Sequence, residues 1–181
     1  MATESLPVDL GTTAPPFSLR ATDGRTYTLA DVRGAHGVVV AFICNHCPYV
    51  KAVLPAMTQD AVALRGLGVG FVGINANDAL AYPEDSYNAM VALAEEAELP
   101  FLYLRDETQR VARAYGAVCT PEFFGFDAEL KLRYRGRLDA SRKNVVPDAR
   151  RELVDAMRDV VLTGVVKGEQ FPALGCSIKW R

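Results

Sequence analysis

The sequence predicts an α/β sandwich with a central mixed β-sheet, and three observations predict it. Val38-Val39-Val40-Ala41-Phe42-Ile43 is a continuous apolar run rich in β-branched residues, and residues 69–74 form a second, each suited to a strand covered on both faces. A polar or helical-period stretch separates each run from the next strand. The flanking segments alternate at period two around turn residues. Buried strands that alternate with helices require helices packed on the faces of one sheet.

From the N-terminus, residues 14–29 read as a hairpin. Phe17-Ser18-Leu19 alternates, Asp23-Gly24 supplies a turn that tolerates positive φ, and Thr26-Tyr27-Thr28 is β-prone. Residues 29–34 form a short helical turn. The strand 37–43 runs into Cys44 and Cys47. The helix beyond carries Val50, Val53, Leu54, Met57, Ala61 and Leu64 at helical spacing, with Gly66 and Gly68 at its end. Pro55 lies inside this helix and is expected to kink it. The strand 69–74 leads to a polar loop through Asn75, Asn77 and Asp78. A helix over 84–97 follows, with Tyr87, Met90, Val91 and Ala94 inward. Residues 101–104 form a short strand, and 108–115 a helix closed by Gly116. Past Pro121, strands at 123–126 and 130–134 are joined at Asp127-Ala128-Glu129. Pro147 is placed as the first residue of a last amphipathic helix that ends at Leu162, with Leu153, Ala156, Met157 and Val160 inward. The tail, 163–181, shows no clear period.

A chain of 181 residues, half of them hydrophobic and 23% charged, fits one domain with a substantial core rather than a disordered chain. The net charge of −2 argues against nucleic acid, which needs a concentrated basic face. The basic cluster 133–137 alternates with Tyr134 and Gly136 and reads as a strand with one wet face, with Arg135, Arg137 and Asp139 in a surface charge network. No stretch is long and apolar enough to span a bilayer, so no membrane role is expected. Residues 1–10 lack the pattern of a signal peptide, and the cytoplasm is the expected location. A structural disulfide is not expected there, so each of the four cysteines needs another account.

A C-x-x-C pair alone fits either redox chemistry or half a zinc site. Placement favours redox chemistry here, because the pair stands where a buried strand hands over to a helix. Cys44 is then expected at the helix N-terminus, where free backbone N–H groups and the helix dipole lower a thiol below its ordinary value of about 8.5. The thiolate is the reactive species, and Cys47 can reach back to close a disulfide. Asn45 and His46 lie between them as tuning positions, and a cationic His46 favours the Cys44 thiolate further.

These residues carry a resemblance to the thioredoxin superfamily, in its peroxiredoxin-like and membrane-tethered-thioredoxin-like branch. The opening Gly11-Thr12-Thr13-Ala14-Pro15-Pro16-Phe17-Ser18-Leu19 with Asp23-Gly24 and Leu29 resembles that branch's N-terminal hairpin. The Cys44-Asn45-His46-Cys47 turn resembles the thioredoxin redox position, and Thr120-Pro121 before a strand resembles the superfamily's cis-proline. Cys47-Pro48-Tyr49-Val50-Lys51 and the ending Gly175-Cys176-Ser177-Ile178-Lys179-Trp180 are similar to a peroxiredoxin-like group within it. The resemblance implies a thioredoxin-like three-layer sandwich with an N-terminal hairpin, spanning 1–181 as one domain. It implies that 164–181 packs on or near the redox site. It also implies that the Thr120 backbone, beside a cis Pro121, is exposed to pair with an extended substrate.

Some positions depart from the family pattern. The third residue of the turn is His46, as in disulfide oxidants and isomerases, and no Trp precedes Cys44. Peroxiredoxins carry P-x-x-x-[ST]-x-x-C. Counting back from Cys44 gives Ala41 and Gly37, and from Cys47 gives Cys44 and Val40, so the hydroxyl that orients the peroxide is missing.

The leading expectation is dithiol–disulfide exchange, in which Cys44 attacks a substrate disulfide and Cys47 resolves it. The implied partners are a disulfide- or thiol-containing substrate and an electron donor of thioredoxin or glutathione type, with no cofactor or metal and room for a homodimer. Two alternatives stay open. One is a thiol peroxidase that passes through a sulfenic acid. The other is a metal-binding or redox-sensing module with Cys44, Cys47, Cys176 and His46 as soft ligands. Cys119 reads as a buried small hydrophobe. Cys176 is either a second resolving thiol or a packed tail residue.

Overall fold

The computed structural model describes residues 2–6 and 9–181. Short β1 (Ala2–Glu4) is followed by the hairpin β2 (Ser18–Ala21) and β3 (Thr26–Thr28), turned at Gly24 with φ 86°. Thr28 and Asp31 cap the short α1 (Leu29–Val32) reciprocally. Then come β4 (Gly37–Phe42), α2 (Pro48–Gly66), β5 (Val69–Asn75), α3 (Tyr87–Glu96), β6 (Leu102–Arg105) and α4 (Arg110–Tyr115). The chain ends with β7 (Cys119–Thr120), β8 (Glu122–Phe126), β9 (Leu132–Gly136), α5 (Glu152–Thr163) and β10 (Leu174–Ser177).

Seven strands form one mixed sheet in the order β3-β2-β6-β5-β4-β8-β9. The central β4, β5 and β6 are parallel, β2 and β8 run antiparallel to them, and the outer β3 and β9 pair antiparallel with β2 and β8. All six residues of β4 are buried. Val39, Ala41 and Ile43 face a cluster with Val50, Val53, Met57 and Leu64 of α2 and Leu153 and Met157 of α5. Val38, Val40 and Phe42 face the opposite cluster, with Val111 and Tyr115 of α4. The period-two alternation of this one strand thus supplies both halves of the core. Three layers result, as in a thioredoxin-like sandwich.

Several local readings need correction. The helix expected from residue 84 starts at Tyr87, because Ser86 caps it by accepting from the Ala89 amide, and residues Pro83–Asp85 form a separate 3-10 turn. α4 starts at Arg110 rather than 108, because Gln109 is held left-handed at φ 61° while its side chain donates to the Ala76 and Lys179 carbonyls. α5 starts at Glu152 rather than Pro147, since Asp148 at φ 55° interrupts the helical path. The basic strand is not wet on one face. Arg135 lies buried against Glu122, 2.8 Å away, and Arg137 pairs with Glu152. A carboxylate placed opposite β9 by the sheet removes Arg135 from solvent.

The tail contains the least expected element. β10 is the middle strand of a second, antiparallel sheet, β1-β10-β7. Beyond it the Ile178 amide donates to the Val118 carbonyl, the Lys179 amide to Asn77 Oδ1, and Arg181 pairs with Asp78. Trp180 is covered by the Arg113 guanidinium, 4.4 Å from the ring centroid.

Candidate active site

β4 ends at Phe42 and delivers Cys44 into the core. The helix that follows begins at Pro48, where proline's fixed φ and missing N–H suit the first helical position. Cys47 is therefore the N-cap, and its carbonyl accepts from Lys51. The helix start falls on the second cysteine of the turn, not on Cys44 as the spacing suggested. Both cysteines are 0% exposed, and all four cysteines of the chain are free thiols.

Thr120 bridges the pair. Its Oγ1 lies 3.2 Å from Cys44 Sγ, and its carbonyl oxygen 3.3 Å from Cys47 Sγ. The Thr120–Pro121 bond is cis. The edge of β7 is not open, however: β10 pairs with it, setting Cys176 opposite Thr120 and Ser177 opposite Cys119. A Cβ on Gly175 would meet the Thr120 carbonyl oxygen at 2.0 Å, so only glycine permits this approach. The cleft beside Pro121, lined by Tyr49, Val53, Leu138 and Leu174, holds about 30 Å³. The chain's own tail fills the seat expected for an extended substrate.

The two thiols share a readily lost proton and titrate as a pair. The Cys44 thiol is pushed up, first by its hydrogen bond with Cys47, then by burial and by the Asp85 charge, while the Thr120 hydroxyl pulls the other way. Cys47 is lowered to about 4. Donation from the Cys44 thiol is the main cause, and it outweighs burial, with the Cys176 thiol and the Val50 and Cys176 amides adding to it. No amide of the first turn makes a full hydrogen bond to the Cys47 side chain. The neighbouring thiol, more than the helix end, therefore stabilises the anion. Ionised Cys47 gives up the donation to Thr120 that its thiol form makes.

Asp85 organises the turn, and the sequence reading missed it. It is 0% exposed and accepts from the Asn45 amide (2.7 Å), His46 Nδ1 (2.5 Å), Asn75 Nδ2 (3.2 Å) and Asn77 Nδ2 (2.8 Å). Tyr103, fully buried, donates to Asn45 Oδ1 and accepts from Asn75, and burial pushes its hydroxyl well up. His46 stacks on Tyr82 with ring planes 9° apart. Asn45 and His46, the two positions between the cysteines, are both held by Asp85, whose charge opposes a thiolate on Cys44. The available signal was the polar trio Asn75, Asn77 and Asp78 at the end of a buried strand. Asn75 and Asn77 are themselves buried at 0% and 2%.

Cys119 is fully buried, its thiol pushed up by burial and by the Glu122 carboxylate. Ligand atoms of Cys44, His46 and Asp85 lie within 4.8 Å of one another. Asp85 is already saturated by its donors, including His46, so a cation there would have to break that network.

Residues 10–135 match the model of the AhpC/TSA family. The chain belongs to the AhpC/TSA family. Among curated AhpC/TSA-like relatives, it is 31% identical to peroxiredoxin Bcp of Escherichia coli over 126 residues, covering 66% of this chain and 71% of that protein. It is 29% identical to the thiol-disulfide oxidoreductase ResA of Geobacillus thermodenitrificans over 138 residues, covering 72% and 71%. The chain spans about half the length of the chloroplastic peroxiredoxin Q proteins it matches, 54% for that of Sedum lineare at 28% identity and 60% coverage of this chain. A crystal structure of a conserved protein from Geobacillus kaustophilus, 48% identical, superposes with a TM-score of 0.94 over 100% of this chain and 97% of that one. The AhpC/TSA match ends at 135, before α5 and the tail, whereas the Geobacillus structure matches the tail as well.

Proposed function

We propose that this AhpC/TSA protein is a thiol–disulfide oxidoreductase that works through a Cys44/Cys47 dithiol–disulfide couple. The observation that carries the reading is the pair itself: two buried thiols bridged by Thr120, whose Oγ1 is 3.2 Å from Cys44 Sγ and whose carbonyl oxygen is 3.3 Å from Cys47 Sγ, with Cys47 lowered and Cys44 raised by their interaction. Such a pair supplies a nucleophile at neutral pH and a neighbour able to close a disulfide behind it. The likeness to ResA supports the same chemistry. Cys47 is the attacking sulfur in this reading and Cys44 the resolving one, the reverse of the order expected from spacing alone. A small thiol or a dithiol protein supplies electrons, and the cytoplasm, which keeps such a couple reduced, is the proposed setting.

The test is turnover of an aromatic disulfide by the reduced protein, followed by mapping of the product. The reading expects a Cys44–Cys47 bond in wild type. It expects Cys47→Ser to abolish turnover and Cys44→Ser to stall with Cys47 held in a disulfide that Cys44 can no longer resolve. Undiminished turnover in Cys47→Ser would remove it.

A second reading, thiol peroxidase, has one specific support besides the Bcp likeness. The hydroxyl absent from the local motif is supplied in space by Thr120, 3.2 Å from Cys44 Sγ. Rapid mixing of the reduced protein with hydrogen peroxide decides it. Stoichiometric sulfenic acid on Cys44 or Cys47 favours the peroxidase, and oxidation no faster than that of a free thiol removes it.

A further inference from the structure

Cys44 and Cys47 are both sealed from solvent, and the backbone edge beside them is taken by β10. Cys176 is the thiol that β10 brings there. It stands opposite Thr120, whose carbonyl oxygen is 3.3 Å from Cys47 Sγ, and it packs on the cluster that contains Cys44 and Cys47. Unlike those two it is only partly buried. Thr120 joins the three: its Oγ1 is 3.2 Å from Cys44 Sγ, its carbonyl oxygen 3.3 Å from Cys47 Sγ, and Cys176 stands opposite it across the strands, with the thiols of Cys44 and Cys176 both acting on Cys47. β1 pairs along the outer edge of β10, with Ala2 opposite Cys176, and Lys179 and Arg181 tie the chain beyond it to the loop after β5. The tail is held on both sides of the thiol.

We propose that Cys176 is a third redox thiol, through which an outside thiol or disulfide exchanges with the buried pair by way of a Cys47–Cys176 disulfide. This rests on the dithiol reading above and extends it. An outside disulfide first exchanges with Cys176: the Cys176 thiolate attacks one of its sulfurs, the other leaves as a thiol, and Cys176 carries a mixed disulfide. The Cys47 thiolate attacks Cys176 Sγ, and the bond from Cys176 to the outside group breaks. The outside sulfur departs with the electron pair and takes a proton from solvent. Cys44, losing its proton to solvent, then attacks Cys47 Sγ and releases Cys176, which is reprotonated. The outside disulfide has gained two electrons and become two thiols, and Cys44 and Cys47 have become a disulfide. Run backwards, the oxidised pair oxidises an outside dithiol. Cys176 itself is pushed up to about 11 by burial and by Cys47, so its thiolate is scarce at neutral pH and its attack on the outside disulfide is the slow step.

Glutathione disulfide is the probe. The fully reduced chain is mixed with it, quenched in acid at timed intervals, alkylated and mapped by mass spectrometry. In Cys44→Ser the proposal expects a Cys47–Cys176 bond as the main product. In Cys176→Ser it expects the Cys44–Cys47 bond to form slower by about tenfold or more. Gly175→Val keeps the thiol but unseats the strand and is expected to lose the Cys47–Cys176 bond in the Cys44→Ser background. Glutathione adducts alone in Cys44→Ser would overturn the proposal. So would Cys44–Cys47 formation within about twofold of wild type in Cys176→Ser, and that result would leave the dithiol reading standing. No Cys44–Cys47 bond in wild type would sink both.

Discussion

Removal of the Asp85 carboxylate strips the acceptor from two donors that have no other partner among the described residues, the Asn45 amide and Asn77 Nδ2. Asn75 keeps Tyr103, and His46, at 23% side-chain exposure, can turn to water. Each orphaned buried donor costs about 1–3 kcal/mol, so Asp85→Ala should lose about 2–6 kcal/mol of a total stability of about 5–15 kcal/mol. Asp85→Asn preserves shape and one acceptor oxygen and should lose about half as much. Urea unfolding of the reduced protein at neutral pH, followed by far-ultraviolet circular dichroism, measures both. The same carboxylate raises Cys44, so its loss should make that thiol more acidic. The pH dependence of Cys44 alkylation in Cys47→Ser against Cys47→Ser/Asp85→Asn reads this second effect. An Asp85→Ala protein within about 1 kcal/mol of wild type would refute the buried-hub reasoning, as would an unmoved Cys44.

Other outcomes follow from the same geometry. Arg135→Ala leaves Glu122, 0% exposed, with the Val118 and Cys119 amides and the Cys119 thiol, all on Oε2, and no guanidinium, and should cost about 3–5 kcal/mol in urea unfolding. Arg135→Met combined with Glu122→Leu should recover much of that loss. Stability of the reduced protein should also vary with pH through Cys47. Its folded pKa lies near 4 and its unfolded value at about 8.5, so between them the unfolded chain binds the extra proton. Stability should then rise with pH across that window by up to about 1.4 kcal/mol per unit from this group, and Cys47→Ser should flatten the rise. Above that window Cys44, Cys119 and Cys176, all raised in the fold, act in the opposite sense, because the unfolded thiols ionise first. Stability should fall there as pH increases.

The parts of the fold legible in the sequence are those whose signal is local. β4 announces itself by six consecutive apolar residues, and the β2–β3 hairpin by alternation around Asp23-Gly24. The cysteine turn is legible for the same reason, since a strand run, a C-x-x-C pair and a helical period adjoin one another. Non-local partners decide the rest. Arg135 looks solvated until Glu122, on the neighbouring strand, is set against it. Asp85 looks like an acid at a helix start, and only the ends of β5 and β6 convert that place into a buried hub. β10 is four residues long, with a glycine inside it, and becomes a strand because β1 and β7, from distant parts of the chain, flank it. The helix start turned on Pro48, which is in plain view: a proline favoured at the first helical position makes the residue before it, Cys47, the cap.

Ionisation of the reduced protein, followed by ultraviolet thiolate absorbance from acid to alkaline pH in wild type, Cys44→Ser and Cys47→Ser, bears most directly on the proposed chemistry. One thiolate should already be present at a pH of about 6, and it should vanish in Cys47→Ser. It should weaken in Cys44→Ser, where the donor beside it is lost. If wild type shows no thiolate until the pH of ordinary cysteine ionisation, about 8.5, then the buried pair holds no ready nucleophile and the account fails.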